Sequence, residues 1–200
     1  YPEHEVLTDS INGQVVMGDN DTLSALSLVT ISGHIDNTAG GKYTSFNGTV
    51  YPTVYDKALV ITTLKNDSDS KVKNFDLQKS ILFRGKATVT NGEFNFSFIV
   101  PKDIAYQNDF GRISYYAENG VTDAHGCYEE FIIGGSASNI AADNTGPQVD
   151  LYINDTSFVF GGITNESPTM LAFIFDEHGI NTSGNGIGHD LVAILDGATN

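Results

Sequence analysis

Alternating hydrophobic and polar residues dominate the chain, and this alternation predicts β-strands. Between Val29 and Ile35, an apolar residue or glycine occupies every second position and polar residues lie between them. Successive side chains of a strand point to opposite faces, so this pattern is typical of a strand with one buried face. No segment shows a sustained period of 3.6 residues, which an amphipathic helix would require. We therefore expect an all-β protein.

A tight hairpin turn is predicted at Asn91-Gly92. Hydrophobic residues alternate on both sides of this dipeptide, at Ala87, Val89, Phe94, Phe96, Phe98 and Val100. Asn-Gly is favoured in two-residue type I′ turns because both central residues need a positive φ. Pro101 should then end the second strand, since proline has no N–H to donate to a sheet.

Further short runs suggest a complete β-sandwich. They are rich in β-branched and aromatic residues and cover Phe46–Tyr55, Lys57–Leu64, Leu77–Phe83, Gly111–Glu118 and Cys127–Ile133. With the strands above, the predicted count is about seven or eight, separated by turns rich in Gly, Asn and Asp. This number is typical of the immunoglobulin fold. Residues 1–141 are therefore predicted to form an immunoglobulin-like β-sandwich domain.

A stretch of small residues predicts a domain boundary near Ala142. Residues 134–147 read GGSASNIAADNTGP, a composition that buries little and is typical of linkers. Residues 142–200 contain 8 Asp and Glu and no Lys or Arg. Strands are expected beyond the linker at Val149–Ile153, Phe158–Phe160, Met170–Phe175 and Leu191–Leu195. Four strands are about half of a sandwich, so residues 142–200 are predicted to be the start of a second, incomplete immunoglobulin-like β domain.

Charge and composition exclude several classes of function. The net charge of −15 opposes that of nucleic-acid phosphates and of anionic membranes, which argues against both partners. No apolar run approaches the roughly 18 residues of a transmembrane helix. The single Cys127 cannot form an internal disulfide. The chain begins Tyr1-Pro2 without an initiator Met or a signal peptide, which is typical of an excised segment.

An imidazole and a thiol lie close together in the sequence Asp123–Cys127. These groups are the base and the nucleophile of cysteine peptidases. On a strand, however, His125 and Cys127 would share a face about 6–7 Å apart, with no third group to orient the imidazole and no oxyanion hole. A structural role is favoured for both residues, and no catalytic residue is assigned.

Acidic residues near the linker are weak candidates for a calcium site. They are Asp143, Asp150, Asp155, Asp176 and Glu177. Carboxylate oxygens are the ligands that Ca²⁺ prefers, and an ion here would stiffen the junction between domains. Their spacing does not match an EF-hand loop. His178 and His189 lack the Cys or His neighbours of a zinc site. No metal or other cofactor is assigned, with calcium kept as an alternative.

A small set of tyrosines is expected to be exposed and could stack on sugar rings. The set is Tyr51, Tyr55, Tyr115 and Tyr116. Aromatic rings supply flat apolar faces for such stacking, but the chain has no Trp and most of its aromatic residues alternate into the predicted core. A carbohydrate site is kept as an alternative.

Several short motifs resemble one protein family over nearly the whole chain. In the second predicted domain they are Asp143–Pro147, Leu151–Asp155, Gly161–Ile163, Asp176–Asn181 and Gly186–Asp190, and upstream they are Asp9–Gly13, Phe46–Pro52 and Phe98–Ile104. They resemble the region that follows the peptidase domain in PorU-type proteins. These are gingipain-like cell-surface sortases of the type IX secretion system in Bacteroidetes. Tyr1-Pro2 resembles the junction between the family's caspase-like domain and its β-sandwich modules.

The resemblance implies an accessory role without catalysis. In this family the catalytic His and Cys lie on a peptidase domain that would precede Tyr1, and His125 and Cys127 do not match those motifs. The fragment would support or dock the peptidase domain, secreted cargo or outer-membrane components of the secretion system, at the extracellular face of the outer membrane. The alternative is a stand-alone cell-surface adhesin or carbohydrate-binding module, which the same fold would permit.

Overall fold

A computed structural model describes residues 3–16, 21–102, 104, 107–136, 145–176, 180, 192–195 and 198–199. All the regular secondary structure in these residues is β-strand, so the all-β prediction is confirmed. The strands are β1 (His4–Ile11), β2 (Gln14–Val15), β3 (Thr22–Ala25), β4 (Leu28–Asp36), β5 (Gly48–Tyr55), β6 (Leu59–Thr62), β7 (Asn74–Leu77), β8 (Ile81–Arg84), β9 (Ala87–Val89), β10 (Glu93–Ile99), β11 (Asp109–Phe110), β12 (Arg112–Glu118), β13 (Asp123–Tyr128), β14 (Ile132–Ser136), β15 (Gln148–Ile153), β16 (Met170–Phe175), β17 (Ile194–Leu195) and β18 (Ala198–Thr199).

Two sheets enclose the hydrophobic core. In the main sheet, β10, β4, β1, β13, β12, β5 and β8 lie side by side in that order, with β2 beside β1 and β9 beside β5. β1 and β13 run parallel, and the other strand pairs of this sheet are antiparallel. A small sheet contains β11, β14 and β3. Both sheets contribute to one buried cluster, whose largest members include Phe46, Phe131, Ile11 and Leu23. The predicted β-sandwich is confirmed.

Aromatic stacking brings the two end strands of the main sheet together. Phe83 on β8 stacks on Phe96 and Phe98 of β10, with ring centroids 5.5 and 4.8 Å apart. Phe94 extends the row, 6.5 Å from Phe96. Because the end strands meet through these rings, the main sheet curls into a near-barrel, which covers edges that would otherwise be open to strand addition.

The Asn91-Gly92 turn is present as predicted. Thr90 and Glu93 exchange two backbone hydrogen bonds of 2.9 and 3.0 Å across it. Asn91 and Gly92 have φ values of 53° and 76°, the positive pair that a type I′ turn requires. A Cβ at Gly92 would lie 2.5 Å from the carbonyl oxygen of Tyr43. The flanking strands β9 and β10 pair mainly with β5 and β4, respectively.

Three predicted strands differ in the structure. Leu77–Phe83 spans the end of β7 and the start of β8, because the chain passes between two sheets there. Cys127–Ile133 likewise spans the end of β13 and the start of β14. The strand predicted at Phe158–Phe160 is wrong, because this segment forms turns: the Phe158 N–H donates to the Asp155 carbonyl oxygen, and the Val159 carbonyl oxygen accepts the Gly162 N–H. Alternation marks extended segments without showing where the chain leaves a sheet.

The described residues fall into two compact units. One contains residues up to 136 together with 192–195 and 198–199, and the other contains residues 145–176 and 180. In the second unit, β15 and β16 form an antiparallel hairpin in which the rings of Tyr152 and Phe173 meet edge to face. Ala142 lies outside the described residues. The boundary there, the extents 1–141 and 142–200, and the incompleteness of the second domain stay predictions.

Candidate functional site

A two-stranded arm is the main candidate surface of the first unit. We define the arm as residues 57–79, which contain β6, β7 and the segment between them. The strands pair antiparallel from Leu59 opposite Leu77 to Thr62 opposite Asn74, and they form a sheet of their own. Backbone and side-chain hydrogen bonds between Thr63 and Lys73 extend the pairing. Isolated two-stranded sheets are marginally stable in water, so an arm of this kind gains from a covering partner.

The two faces of the arm differ in polarity. The apolar face consists of the cross-strand pairs Leu59 with Leu77 and Ile61 with Phe75. The opposite face consists of Val60 with Asp76 and Thr62 with Asn74. Leu59 and Phe75 are 44% and 46% exposed, although cross-strand apolar pairs usually pack on a core. The arm therefore presents an uncovered apolar face.

The arm also concentrates the basic residues of an acidic chain. Residues 57–79 hold five of the ten Lys and Arg residues but only three of the 25 Asp and Glu residues. Lys65, Lys71, Lys73 and Lys79 are exposed. A partner that covers the apolar face would therefore meet positive charge at its rim, which favours an acidic partner surface.

Tyr51 and Tyr116 remain exposed on the outer face of the main sheet. They are cross-strand partners on β5 and β12, and their rings stack at 6.1 Å. The Tyr51 hydroxyl donates a 3.1 Å hydrogen bond to Glu118, which raises the pKa of this phenol. Partial burial, followed by the charges of Asp123 and Glu118, raises the pKa of Tyr116.

The other two candidate tyrosines are not free for ligand stacking. Tyr115 is only 3% exposed, and its hydroxyl lies 2.8 Å from the Thr8 hydroxyl, so the prediction that it is exposed is wrong. It neighbours Tyr116 on β12, and adjacent residues of a strand face opposite sides. The Arg112 guanidinium lies over the Tyr55 ring, 4.7 Å from its centroid, and occupies that face.

His125 and Cys127 lie two residues apart on β13, and both are exposed. The Cys127 Sγ lies 3.6 Å from the Glu129 carboxylate. Partial burial and the charge of Glu129 raise the pKa of this thiol. A raised pKa reduces the thiolate fraction at neutral pH, whereas nucleophilic cysteines have lowered pKa values. These contacts give no support to a nucleophilic Cys127.

The calcium candidates are only partly within the described residues. Asp143 and Glu177 lie outside them, as do His178 and His189, for which a zinc site was not expected. Asp150, Asp155 and Asp176 lie inside. Hydrogen bonds from the Ser157 hydroxyl and N–H lower the pKa of the Asp155 carboxyl. Within the described ranges, no three His, Cys, Asp or Glu side chains are grouped to hold a metal. Calcium stays an untested prediction.

The residues of the arm were missed as a candidate surface by sequence reasoning. Lys57–Leu64 is a short run of apolar and β-branched residues like that of a core strand, and nothing in that composition distinguishes a covered face from an uncovered one. The concentration of lysine in residues 57–79 is the sequence signal that sets the arm apart from the acidic remainder.

Comparison with solved structures gives an informative likeness. No family model and no curated protein matches the chain. The crystal structure of dimeric latent PorU from Porphyromonas gingivalis matches 100% of this chain at 31% sequence identity, with a TM-score of 0.69. The predicted resemblance to PorU-type proteins is confirmed. A sporulation control protein, Spo0M from Bacillus subtilis, matches 68% of this chain and 51% of its own at 15% identity and a TM-score of 0.36, too low to carry an argument.

The likeness to PorU concerns a small part of that protein. This chain spans 19% of the PorU chain. The match therefore supports a PorU-type β-sandwich region that corresponds to part of a larger protein. Within the described part of the chain there is no helix with the length and apolarity needed to cross a membrane.

Proposed function

We propose that this chain is a non-catalytic accessory β-sandwich region of a cell-surface gingipain-like cysteine peptidase/sortase in type IX secretion. In this proposal it docks the peptidase domain of the same protein at the extracellular face of the outer membrane. Secreted cargo and outer-membrane components of the secretion system are further partners. The likeness to one-fifth of PorU, at 31% identity, supports this context.

The uncovered apolar face of the arm carries the docking part of the proposal. Leu59 and Phe75 are exposed on a sheet that buries little by itself. Burial of such side chains against a partner is favourable, at about 25 cal/mol per Å² of apolar surface. The exposed lysines of the arm add charge complementarity to an acidic rim. An apolar surface with acidic surroundings on the peptidase domain is the partner that fits.

Docking is tested by charges placed on either face of the arm. Binding of this chain to the purified peptidase domain is measured by calorimetry for wild type, Phe75→Asp and Thr62→Asp. Phe75→Asp should weaken binding by about tenfold or more, because it buries an unpaired carboxylate in the interface. Thr62→Asp, on the opposite face and across from the neutral Asn74, is the matched control and should bind like wild type. Equal affinities for all three forms would contradict docking through this face.

The absence of catalysis is tested separately. The purified chain and its Cys127→Ala variant are incubated with a panel of unstructured peptides. We expect no turnover by either form, because the thiol pKa is raised and no described group orients His125 towards it. Turnover that disappears in the variant would overturn this part of the proposal.

Carbohydrate binding is the second candidate, and the exposed Tyr51 and Tyr116 pair favours it. A glycan array probed with wild type and Tyr116→Ala distinguishes the two functions. A signal that is lost in the variant would favour the adhesin over the accessory role.

The calcium alternative is tested on the same samples, since a bound ion would raise the melting temperature relative to chelator-treated protein.

A further inference from the structure

A buried ion pair lies at the root of the arm. Asp56 and Lys57 follow β5 and are 8% and 5% exposed. The Lys57 Nζ donates to the Asp56 Oδ1 at 2.9 Å and to the Ile133 carbonyl oxygen at 3.3 Å. The Asp56 Oδ1 also accepts the Lys57 backbone N–H at 2.8 Å. Since Ile133 belongs to β14, the lysine links the root of the arm to the small sheet.

The returning end of the arm is bonded to Asp56 as well. The Gln78 Nε2 donates to the Asp56 carbonyl oxygen at 2.8 Å. The Asp56 N–H donates to the Ser80 carbonyl oxygen at 2.7 Å. The outgoing and returning ends therefore meet at Asp56, and Lys57 connects that meeting point to the body of the sandwich.

A gain in stability is a weak explanation for the presence of a buried ion pair at this position. Desolvation of a buried ammonium and carboxylate costs several kcal/mol, and well-packed apolar residues often replace such pairs without loss. Hydrogen bonds differ from apolar contacts because they have direction. A two-stranded arm that buries little cannot set its own direction, so its orientation depends on contacts at its root.

We propose that the Asp56–Lys57 pair is an orienting anchor for the arm. It fixes the direction in which β6 and β7 leave the sandwich and presents the apolar face already oriented for docking. The docking consequence rests on the proposed function, whereas the anchoring does not depend on any partner. Lys57 is thus a positioning residue whose removal frees the arm while the core remains folded.

The anchor is tested by distance measurements between two spin labels. One label is placed on the arm at Ser68→Cys and the other on β10 at Asn95→Cys, in a Cys127→Ser background. We expect a narrow distance distribution in the reference protein. In Asp56→Asn/Lys57→Met, which leaves no unpaired charge, the distribution should broaden about twofold or more, with an unfolding midpoint close to the reference value. Lys79→Met removes an exposed lysine near the same root and is the matched control, with an unchanged distribution.

A milder variant keeps the test decisive if the double variant does not fold. Gln78→Leu removes the bond from the returning end without burying a charge, and it should broaden the distribution to a smaller extent. An unchanged distribution in every folded anchor variant would overturn the proposal. Binding to the peptidase domain separates the two ideas. If the anchor variants broaden the distance distribution but the chain does not bind the peptidase domain, docking alone is refuted. If the chain binds but the anchor variants leave the distribution unchanged, the anchor alone is refuted.

Discussion

Two antiparallel strand pairs with equally regular pairing have opposite surroundings. β4 and β10 pair from Leu28 opposite Ile99 to His34 opposite Glu93. Two phenylalanines of β10, Phe96 and Phe98, are buried against Phe83. β6 and β7 pair just as regularly, yet the apolar side chains of the arm are half exposed. Alternation therefore determines which residues share a face. Whether that face is covered depends on segments distant in the sequence.

Truncation of one phenylalanine in each pair is the strongest test of this difference. Phe96 is 7% exposed and stacks on Phe83 and Phe98, so Phe96→Ala should lower the free energy of unfolding by about 3–5 kcal/mol. Phe75→Ala removes the same side chain from the arm and should cost less than about 1 kcal/mol. Denaturant unfolding of both variants gives the comparison. Similar losses would show that the arm face is covered in solution.

The structure could be predicted from the sequence wherever neighbouring residues determine it. Alternation located β4 and β10, and Asn91-Gly92 located the turn, because each signal lies within a few residues. The structure could not be predicted where contacts between segments distant in the sequence determine it. Tyr115 is buried and Tyr116 exposed according to the side of the sheet that receives the core. Lys57 bonds to Ile133, 76 residues further along the chain, and no local pattern reveals that contact.

Substitution of two glycines compares a closely packed turn with an open one. Gly92 and Gly120 both have positive φ, at 76° and 82°, but only at Gly92 would a Cβ meet a neighbouring backbone atom. Gly92→Ala should destabilise the fold by roughly 1–3 kcal/mol, through left-handed strain and the contact with Tyr43. Gly120→Ala carries the strain without the contact and should cost less. Denaturant midpoints measure both, and a larger effect at Gly120 would contradict the tight packing at the turn.

Alkaline pH distinguishes a covered tyrosine from an uncovered one. Burial raises the pKa of Tyr115 above its ordinary value of 10.0. Because the folded-state pKa exceeds the unfolded one, this contribution to stability is fully present below a pH of about 10 and is lost as the pH rises further. Tyr115→Phe should lose about 1 kcal/mol at neutral pH with the Thr8 hydrogen bond, and its stability should fall less steeply above pH 10. Tyr51→Phe, on the exposed face, is the comparison and should change the slope less, because a surface hydrogen bond to Glu118 rather than deep burial is the main cause of its raised pKa.

The smallest expected change is in the alkylation rate of Cys127, which lies on the outer face of β13. Partial burial, then the charge and hydrogen bond of Glu129, raise the thiol pKa. Less thiolate is therefore present at a given pH than on an unperturbed cysteine, and alkylation by iodoacetamide near pH 8 should be slower than that of a free thiol such as glutathione. Glu129→Gln removes the negative charge but leaves the burial, so it should accelerate alkylation only in part. Glu130→Gln changes the charge of the next residue, for which no contact with the thiol is seen, and serves as the matched control. If both variants react at the wild-type rate, Glu129 does not control the thiol, and the local contact on this exposed strand is not maintained in solution.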